Sequence, residues 1–214
     1  MPTCCRSAPC EQIFRPRVAR RSLEQYRKKG HGELERRMVA AASEGGLAGA
    51  RVLEIGGGIG TIQSELVEAG AERGEVVELV SAWEPYAREL AREKGLEERT
   101  SFRVTDVLEE PEAVEPADVV VMNRVVCCSP DGVRLAGVAA RLATRTLVLS
   151  FPRDLFLVRT GAQVVNAGLR LMGRSFRVFA HPREALLGAA RAEGLAPVAS
   201  GRKGPWEFVA LARA

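Results

Sequence analysis

The segment that most constrains the fold is residues 52–60, in which a short apolar run containing one acid leads into a glycine-rich turn. Gly56, Gly58 and Gly60 alternate along this turn. Glycine lets a backbone turn sharply and lets a ligand approach it closely. An amphipathic helix is predicted directly after the turn, over 61–70, and its N-terminus directs partial positive charge at the turn. The segment therefore predicts a ligand-binding strand–turn–helix unit.

A second acid is expected at the end of the next strand, because dinucleotide and similar cofactor sites use a carboxylate there to accept hydrogen bonds from ribose hydroxyls. Its expected place is about 20 residues past the glycines. Glu78 lies 22 positions after Gly56. Glu84 is the alternative, but with Ser81 it has the spacing of a capping box that opens a helix over 82–94. We assign the ribose to Glu78 and the helix start to Glu84, and the exchanged assignment stays open.

Strands and helices alternate along most of the chain. Seven strands are predicted, over 51–55, 75–78, 101–105, 117–122, 146–151, 197–200 and 206–211. The first, fourth and fifth are nearly all apolar, as in parallel strands that are covered on both faces. The last two flank a turn with Gly and Pro and predict an antiparallel hairpin at the sheet edge. The predicted fold class is α/β, with a mostly parallel, Rossmann-like sheet.

Composition and charge exclude several classes of protein. A length of 214 residues suits one α/β domain of ordinary size with a short extension. No run approaches the ~18 apolar residues of a membrane span, and the first residues lack an apolar signal core. We therefore expect a cytoplasmic protein. The net charge of +4 comes partly from the basic run 15–37, in which Tyr26 is the only aromatic residue, so no nucleic-acid partner is expected.

The glycine turn with its preceding acid, Glu54, has the form E-x-G-x-G-x-G, which resembles the first motif of class I S-adenosylmethionine (SAM) methyltransferases. The resemblance extends over about 17–214. The second half is most similar to the magnesium-protoporphyrin O-methyltransferase group and its bacterial relatives, through the stretches 147–151 and 178–181. The resemblance implies a SAM-dependent methyltransferase, with S-adenosylhomocysteine as the product formed from its cofactor.

The resemblance implies a role for each cofactor-binding residue. Gly56, Gly58 and Gly60 would let the backbone pass close to the methionine and ribose portions of SAM. Glu54 would lie below the turn, near the SAM ammonium or the loop amides. Glu78 would hold the ribose hydroxyls.

Residues after the third and fourth strands complete the implied site. Asp106 would accept a hydrogen bond from the adenine amino group, and the Val107 backbone N–H would donate to the ring. Asn123 and Arg124 would line the floor where the methyl group meets its acceptor. Tyr26, in the N-terminal helices, matches a tyrosine near the SAM site of the resembled group.

The chain departs from that group at one position. Cys128 stands where the group has a histidine after the fourth strand, which leaves a porphyrin acceptor and histidine-based proton transfer there open. Of the two histidines, His181 precedes Pro182, and its simplest role is to precede a helix with Pro at its first position. A catalytic role for His181 is the alternative. His31, between two glycines, is expected to be exposed.

The five cysteines are odd in number and contain no C-x-x-C pair, so neither a disulfide framework nor a structural zinc site is expected. At least one of Cys127 and Cys128 is interpreted as small apolar filling. The alternative is that Cys4, Cys5 and Cys10 approach this pair and form a thiol-rich pocket for a soft metal or metalloid acceptor.

Two segments frame the predicted acceptor site. Residues 1–45 are predicted to form an N-terminal helical cap, and 46–214 the SAM-binding domain. Within that domain, 152–180 exceeds what the sheet requires and includes a predicted amphipathic helix over 155–172. Ligands of open α/β sheets bind beyond the carboxyl ends of the strands, so this insertion is expected over the acceptor site. A substrate lid and additional core packing both stay open.

The sequence therefore predicts an enzyme that transfers a methyl group from SAM to a small or mid-sized organic acceptor by in-line displacement. Oxygen is the favoured target atom, with nitrogen and sulfur possible. Tyr26, Asn123, Cys128 and His181 are the candidate catalytic residues, and no metal site is assigned. Two alternatives stay open: a thiol-assisted metal or metalloid methyltransferase, and a SAM-binding sensor or partner subunit without turnover.

Overall fold

The structure is a computed structural model that describes residues 7–213. The strands of this part of the chain are β1 (Arg51–Ile55), β2 (Arg73–Glu78), β3 (Thr100–Val104), β4 (Ala117–Asn123), β5 (Ala143–Pro152), β6 (Leu195–Lys203) and β7 (Trp206–Arg213). Its α-helices are α1 (Ser7–Glu11), α2 (Pro16–Lys29), α3 (Glu33–Ser43), α4 (Thr61–Glu68), α5 (Glu84–Glu93), α6 (Gly132–Leu142), α7 (Phe156–Leu171) and α8 (Arg183–Ala192).

The seven strands form one sheet in the order β3-β2-β1-β4-β5-β7-β6. The first five are parallel, and β7 pairs antiparallel with both β5 and β6. The predicted α/β class and mostly parallel sheet with an antiparallel C-terminal hairpin are therefore confirmed. The chain reverses its direction across the sheet between β1 and β4. Their carboxyl ends form the crevice in which open α/β sheets bind ligands.

Both faces of the sheet are covered because its central strands are apolar on both sides. Leu53 and Ile55 belong to a buried cluster with residues of α6 and α8. Val52 belongs to a second cluster with residues of α3 and α4. Neighbouring residues of a strand point to opposite faces, so the continuous apolar run of β1 is what two covered faces require.

The predicted capping box at Ser81 and Glu84 is wrong. Residues 81–83 form a separate 3-10 turn, α5 begins at Glu84, and no side-chain capping hydrogen bond is present at either start. The Glu84 carboxylate instead pairs with Arg88 one turn further along α5, at 2.7 Å. The helix starts later than the sequence pattern indicates, so Glu84 lies inside its first turn and its side chain meets the following turn.

The insertion after β5 contains α7, which has no buried residue. The segment that follows α7 packs against the N-terminal helices: Phe176 is buried and meets Phe14 edge-on, with ring centroids 5.7 Å apart. Gln12 and Ser175 exchange two hydrogen bonds of 3.1 Å at the same junction. Among residues 7–213, no helix is both long and apolar enough to cross a membrane.

Candidate active site

A cavity of about 900 Å³ opens at the carboxyl ends of β1, β2 and β4, under α2 and the loop that joins α2 to α3. Most of the predicted site residues line it: Tyr26, Gly56, Gly58, Glu78, Asp106, Val107, Asn123, Arg124 and Cys128. Glu54, Gly60 and His181 do not line it, and neither does any residue of 152–180. The structure thus brings together side chains from five separate parts of the chain, as the sequence predicts.

The glycine turn needs glycine for reasons of both conformation and space. Gly56 and Gly60 have φ values of +64° and +73°, in the left-handed region that side chains disfavour. A Cβ atom on Gly56 would lie 2.7 Å from a methyl carbon of Val125, and one on Gly60 would lie 2.9 Å from a methyl carbon of Val76. The turn is therefore closed tightly against the ends of β2 and β4.

Glu78 ends β2 and holds the glycine turn directly. One carboxylate oxygen accepts a hydrogen bond of 3.0 Å from the Gly58 N–H, and the other accepts one of 2.8 Å from the Leu79 N–H. Burial raises the pKa of this carboxyl, while these backbone donors act in the opposite direction. A buried carboxylate with remaining lone pairs at the cavity wall suits the two hydroxyls of a ribose.

Glu54 lies beneath the turn and is almost fully buried. Its carboxylate accepts a hydrogen bond of 2.9 Å from the Gln63 N–H in the first turn of α4. The two surroundings predicted for Glu54 were the SAM ammonium and the loop amides; the observed contact is with an amide of α4 rather than of the loop. Burial raises the pKa of this carboxyl to about 8, Gln63 opposes the change and the charge of Glu78 adds to it.

The raised pKa of Glu54 makes the stability of the protein depend on pH. The folded state holds this proton more tightly than the unfolded chain, whose ordinary value is 4.5, so the free energy of unfolding falls as pH rises from about 4.5 to about 8. Glu54→Gln keeps an acceptor for Gln63 without the charge. We expect its melting temperature to exceed that of the parent at pH 9 by on the order of 5 °C, and by less at pH 5. Equal differences at both pH values, in melts without ligand, would contradict this origin.

The wall beside Glu78 includes two apolar residues, Leu79 and Trp83, that the sequence pattern did not single out. Leu79 and Trp83 line the cavity together with Asp106 and Val107. The Asp106 carboxylate accepts a hydrogen bond of 2.9 Å from the Leu108 N–H, which fixes the side chain. Apolar surfaces with a few oriented polar groups suit a planar heterocycle. The sequence did contain one signal for Trp83, because it is a bulky apolar residue shortly after the carboxylate assigned to the ribose.

The floor of the cavity is the end of β4. Ser150 donates a hydrogen bond of 2.7 Å to the Asn123 side-chain oxygen and accepts one of 2.9 Å from the Arg124 N–H. Within residues 7–213, Arg124 is the one non-glycine residue with a positive φ, at 60°. Its guanidinium pairs with Glu35 at 2.7 Å and lies over the Trp206 ring. Asn123 therefore keeps its amide N–H groups for the cavity, while Arg124 ties the floor to α3.

The two adjacent cysteines form a 3-10 turn after β4. Cys127 is buried, and its contact with Cys128 lowers the pKa of its thiol. Cys127 therefore fits the interpretation as filling, whereas Cys128 lines the cavity, as does Cys10. Cys4 and Cys5 lie outside the described residues. Across residues 7–213, no group of three or more His, Cys, Asp or Glu side chains could hold a metal ion.

His181 supports the cysteine turn from outside the cavity. Its Nε2 atom lies 3.0 Å from the Val126 carbonyl oxygen and 2.9 Å from that of Ser129. Two carbonyl acceptors around one ring nitrogen require that nitrogen to carry the proton. Pro182 is the residue before α8 rather than its first residue. The predicted Pro position is therefore off by one, and the His181 ring is placed to hold the loop rather than to meet a substrate.

Tyr26 is attached to the core through a cluster that the sequence did not indicate. Its hydroxyl donates a hydrogen bond of 3.0 Å to Glu65 on α4. The His31 Nε2 atom lies 3.4 Å from the same Glu65 oxygen, and the Tyr26 and His31 ring centroids are 5.2 Å apart. Burial and then Glu65 raise the pKa of the Tyr26 hydroxyl. The expected exposure of His31 is wrong: the ring is buried because it packs under Tyr26.

Searches of family models and of curated proteins returned no match to this chain. The search of solved structures found proteins that are similar to this chain. The magnesium protoporphyrin IX methyltransferase of Synechocystis PCC 6803 with bound S-adenosylhomocysteine is 17% identical, with a TM-score of 0.69 over 95% of this chain and 100% of that one. An O-methyltransferase family protein of Burkholderia thailandensis is 21% identical, with a TM-score of 0.65 over 94% of this chain and 63% of that one.

A third similar structure is the [4+2]-cyclase SpnF, at 15% identity and a TM-score of 0.63 over 84% of this chain and 80% of that one. At these identities the comparisons show the fold, which is the fold of class I SAM-dependent methyltransferases. One fold can host several activities, and SpnF is named as a cyclase rather than as a methyltransferase. The fold alone therefore does not determine the activity of this chain.

Proposed function

We propose that this protein is a SAM-dependent methyltransferase that acts on a small or mid-sized organic acceptor. The observation that carries the proposal is the Glu78 carboxylate, which binds the Gly58 amide at the wall of a cavity of about 900 Å³. Glu78 would then serve as a buried acceptor for ribose hydroxyls, beside a glycine turn that a cofactor can approach closely. The fold supports the same proposal, because the Synechocystis enzyme named above was solved with S-adenosylhomocysteine.

The described residues fit the cofactor part by part. Glu78 would accept hydrogen bonds from the ribose, and the turn at Gly56 and Gly58 would lie along the methionine portion. Asp106 and Val107 would bind the adenine edge at the far end of the cavity. Trp83 would form part of the apolar wall of the cofactor site. Gly56, Glu78 and Asp106 lie at the carboxyl end of a strand or within two residues of it, so one rigid sheet would position all three.

The bound cofactor supplies a methyl group on a positively charged sulfur. In-line displacement forms a bond from the acceptor lone pair to the methyl carbon, while the carbon–sulfur electron pair passes to sulfur. Such a reaction depends on alignment more than on proton transfer. Asn123 and Cys128 would form the floor beside the acceptor, and Tyr26 would close the site from α2. A base is needed only for an acceptor that arrives protonated.

Oxygen is the target atom that we favour, with nitrogen and sulfur as the other possibilities. Two of the similar structures are, by name, a protoporphyrin methyltransferase and an O-methyltransferase family protein. The acceptor would be a small molecule rather than a nucleic acid, and the reaction would take place in the cytoplasm. Residues 152–180 do not line the cavity, and we propose that they cover its acceptor side from outside, next to the N-terminal helices.

The experiment that tests this proposal uses SAM labelled in its methyl group and small-molecule extract fractions from the source organism. We expect labelled product that depends on the protein and on time. Binding of S-adenosylhomocysteine with no labelled product in any fraction would favour a sensor or partner subunit without turnover. A thiol-assisted transfer to a metal or metalloid is the other alternative: Cys10 and Cys128 both line the cavity, and Cys4 and Cys5 lie outside the described residues.

Tyr26 offers a separate prediction about the sulfonium. A ring face beside a cation contributes on the order of 0.5–2 kcal/mol. We expect Tyr26→Ala to weaken SAM binding by about 2- to 30-fold and to weaken S-adenosylhomocysteine binding less, because the latter is uncharged at sulfur. Tyr26→Phe keeps the ring and should retain SAM affinity. Tyr86→Ala on α5 is the control, since Tyr86 does not line the cavity. Equal losses for both ligands would show that the ring does not face the sulfonium.

A further inference from the structure

The helix α7 presents an unusually apolar face away from the rest of the protein. Leu157, Val164 and Leu171 are spaced seven residues apart and are exposed by 80%, 67% and 89%. Residues at this spacing lie on one side of a helix. Phe156 and Met172 extend the same surface, with exposures of 80% and 68%. A monomeric domain rarely leaves such a contiguous apolar surface without an interaction partner.

The outward direction of this face is fixed by contacts on the other side of α7. The Asn166 side chain donates a hydrogen bond of 2.8 Å to the Val178 carbonyl oxygen and accepts one of 2.7 Å from the Val178 N–H. Leu169 packs against the cluster that contains the buried Phe176. Both polar atoms of the Asn166 amide are satisfied in this orientation of α7. The apolar face is therefore built to point outward.

The charges around this face are almost all positive. Arg159 and Arg170 are exposed on α7, and Arg153, Arg174 and Arg177 lie in the segments on either side. The one acidic residue from 153 to 177 is Asp154, and it pairs with Arg159 at 2.6 Å. The contacts of Phe14 and Gln12 with the segment after α7 bring the start of α2 to the same region. That start carries further exposed arginines, Arg15, Arg17, Arg20 and Arg21, of which Arg20 pairs with Glu24 at 3.0 Å.

We propose that α7, together with the basic start of α2, docks on the surface of an anionic lipid membrane. A helix with an apolar face and arginines along its flanks lies in the plane of the membrane interface, with its apolar side chains among the acyl chains. A second copy of the chain fits the charges less well. A two-fold contact through α7 would place the arginines of one copy against those of the other.

The test uses the whole chain and vesicles of two compositions, phosphatidylcholine alone and phosphatidylcholine mixed with phosphatidylglycerol. We expect the protein to sediment with the mixed vesicles and to remain in solution with phosphatidylcholine alone. High salt should weaken the interaction, because it screens the arginine charges. The measurement requires neither cofactor nor acceptor, so it is independent of the proposed methyl transfer.

Matched variants test whether α7 is the part of the protein that binds the vesicles. Leu157→Glu combined with Leu171→Glu is expected to reduce vesicle binding by at least about tenfold, since it places charge among the acyl chains. Both side chains are exposed, so the melting temperature should not change. Val198→Glu is the control: it changes an apolar residue that is 59% exposed on β6, and it should leave vesicle binding intact.

Three results would overturn the proposal. The first is absence of binding to the mixed vesicles. The second is equal binding by the parent and the α7 double variant. The third is a concentration-dependent dimer, measured by light scattering, that the double variant abolishes while vesicle binding is absent, because α7 would then be covered by a second copy.

Discussion

Glu78→Ala is expected to weaken binding of SAM and of S-adenosylhomocysteine by about 1–3 kcal/mol, or about 5- to 150-fold. The substitution removes the acceptor for the ribose hydroxyls. It also releases the Gly58 N–H, which Glu78 binds at 3.0 Å, so the glycine turn loses its anchor at the same time. Titration calorimetry with S-adenosylhomocysteine measures the loss, and a thermal melt establishes that the variant remains folded.

Glu84→Ala is the matched control, since it removes a carboxylate six residues along the chain. Glu84 pairs with Arg88 on the surface of α5 and does not line the cavity. Exposed pairs of this kind contribute about 0–1 kcal/mol. We expect little change in either stability or cofactor affinity. A large loss of affinity in Glu84→Ala, with Glu78→Ala unaffected, would exchange the two assignments and refute the proposed ribose site.

Gly56→Ala is expected to have the second large effect. The left-handed conformation costs a side chain about 1–2 kcal/mol, and the added Cβ would meet a Val125 methyl carbon at 2.7 Å. Because Val125 follows β4, the collision pushes the glycine turn away from the cavity floor. We expect cofactor affinity to fall by more than about tenfold and the melting temperature to fall by several degrees.

Gly49→Ala separates the two causes. Gly49 has a φ of +68°, close to that of Gly56, but nothing lies within 4 Å of its Cβ position. The control should therefore show the conformational cost in a melt and keep its cofactor affinity. The double variant Gly56→Ala with Val125→Ala should recover part of the affinity. Unchanged affinity in Gly56→Ala would mean that the turn does not approach the cofactor.

The sheet could be predicted because its signal is local. The apolar run of β1 was placed exactly, over 51–55, and β4 differs from its predicted range only by including Asn123. The edge strand β6 was predicted too short: it runs from Leu195 to Lys203, and its burial is discontinuous. The other edge strand, β3, has the predicted length and is displaced by one residue. An edge strand has solvent-facing residues that interrupt its apolar run, so the sequence pattern indicates only the centre of the strand.

The site was predicted where residues follow strand ends, and missed where distant segments meet. Glu78 and Asp106 follow from the order of the strands. His31 looked exposed because glycines flank it, but Tyr26 and Glu65 bury it from other helices. The role of His181 depends on carbonyl oxygens that lie 52 and 55 residues away. No local pattern can indicate such contacts, because tertiary packing creates them.

The most direct test of the account is the choice of cofactor by the purified protein. Titration calorimetry compares S-adenosylhomocysteine and SAM with NAD under one set of conditions. The compact glycine turn with Glu78 predicts micromolar binding of the first two ligands and no binding of NAD. Binding of NAD without binding of SAM or S-adenosylhomocysteine would show that the glycine turn and Glu78 do not form a SAM site.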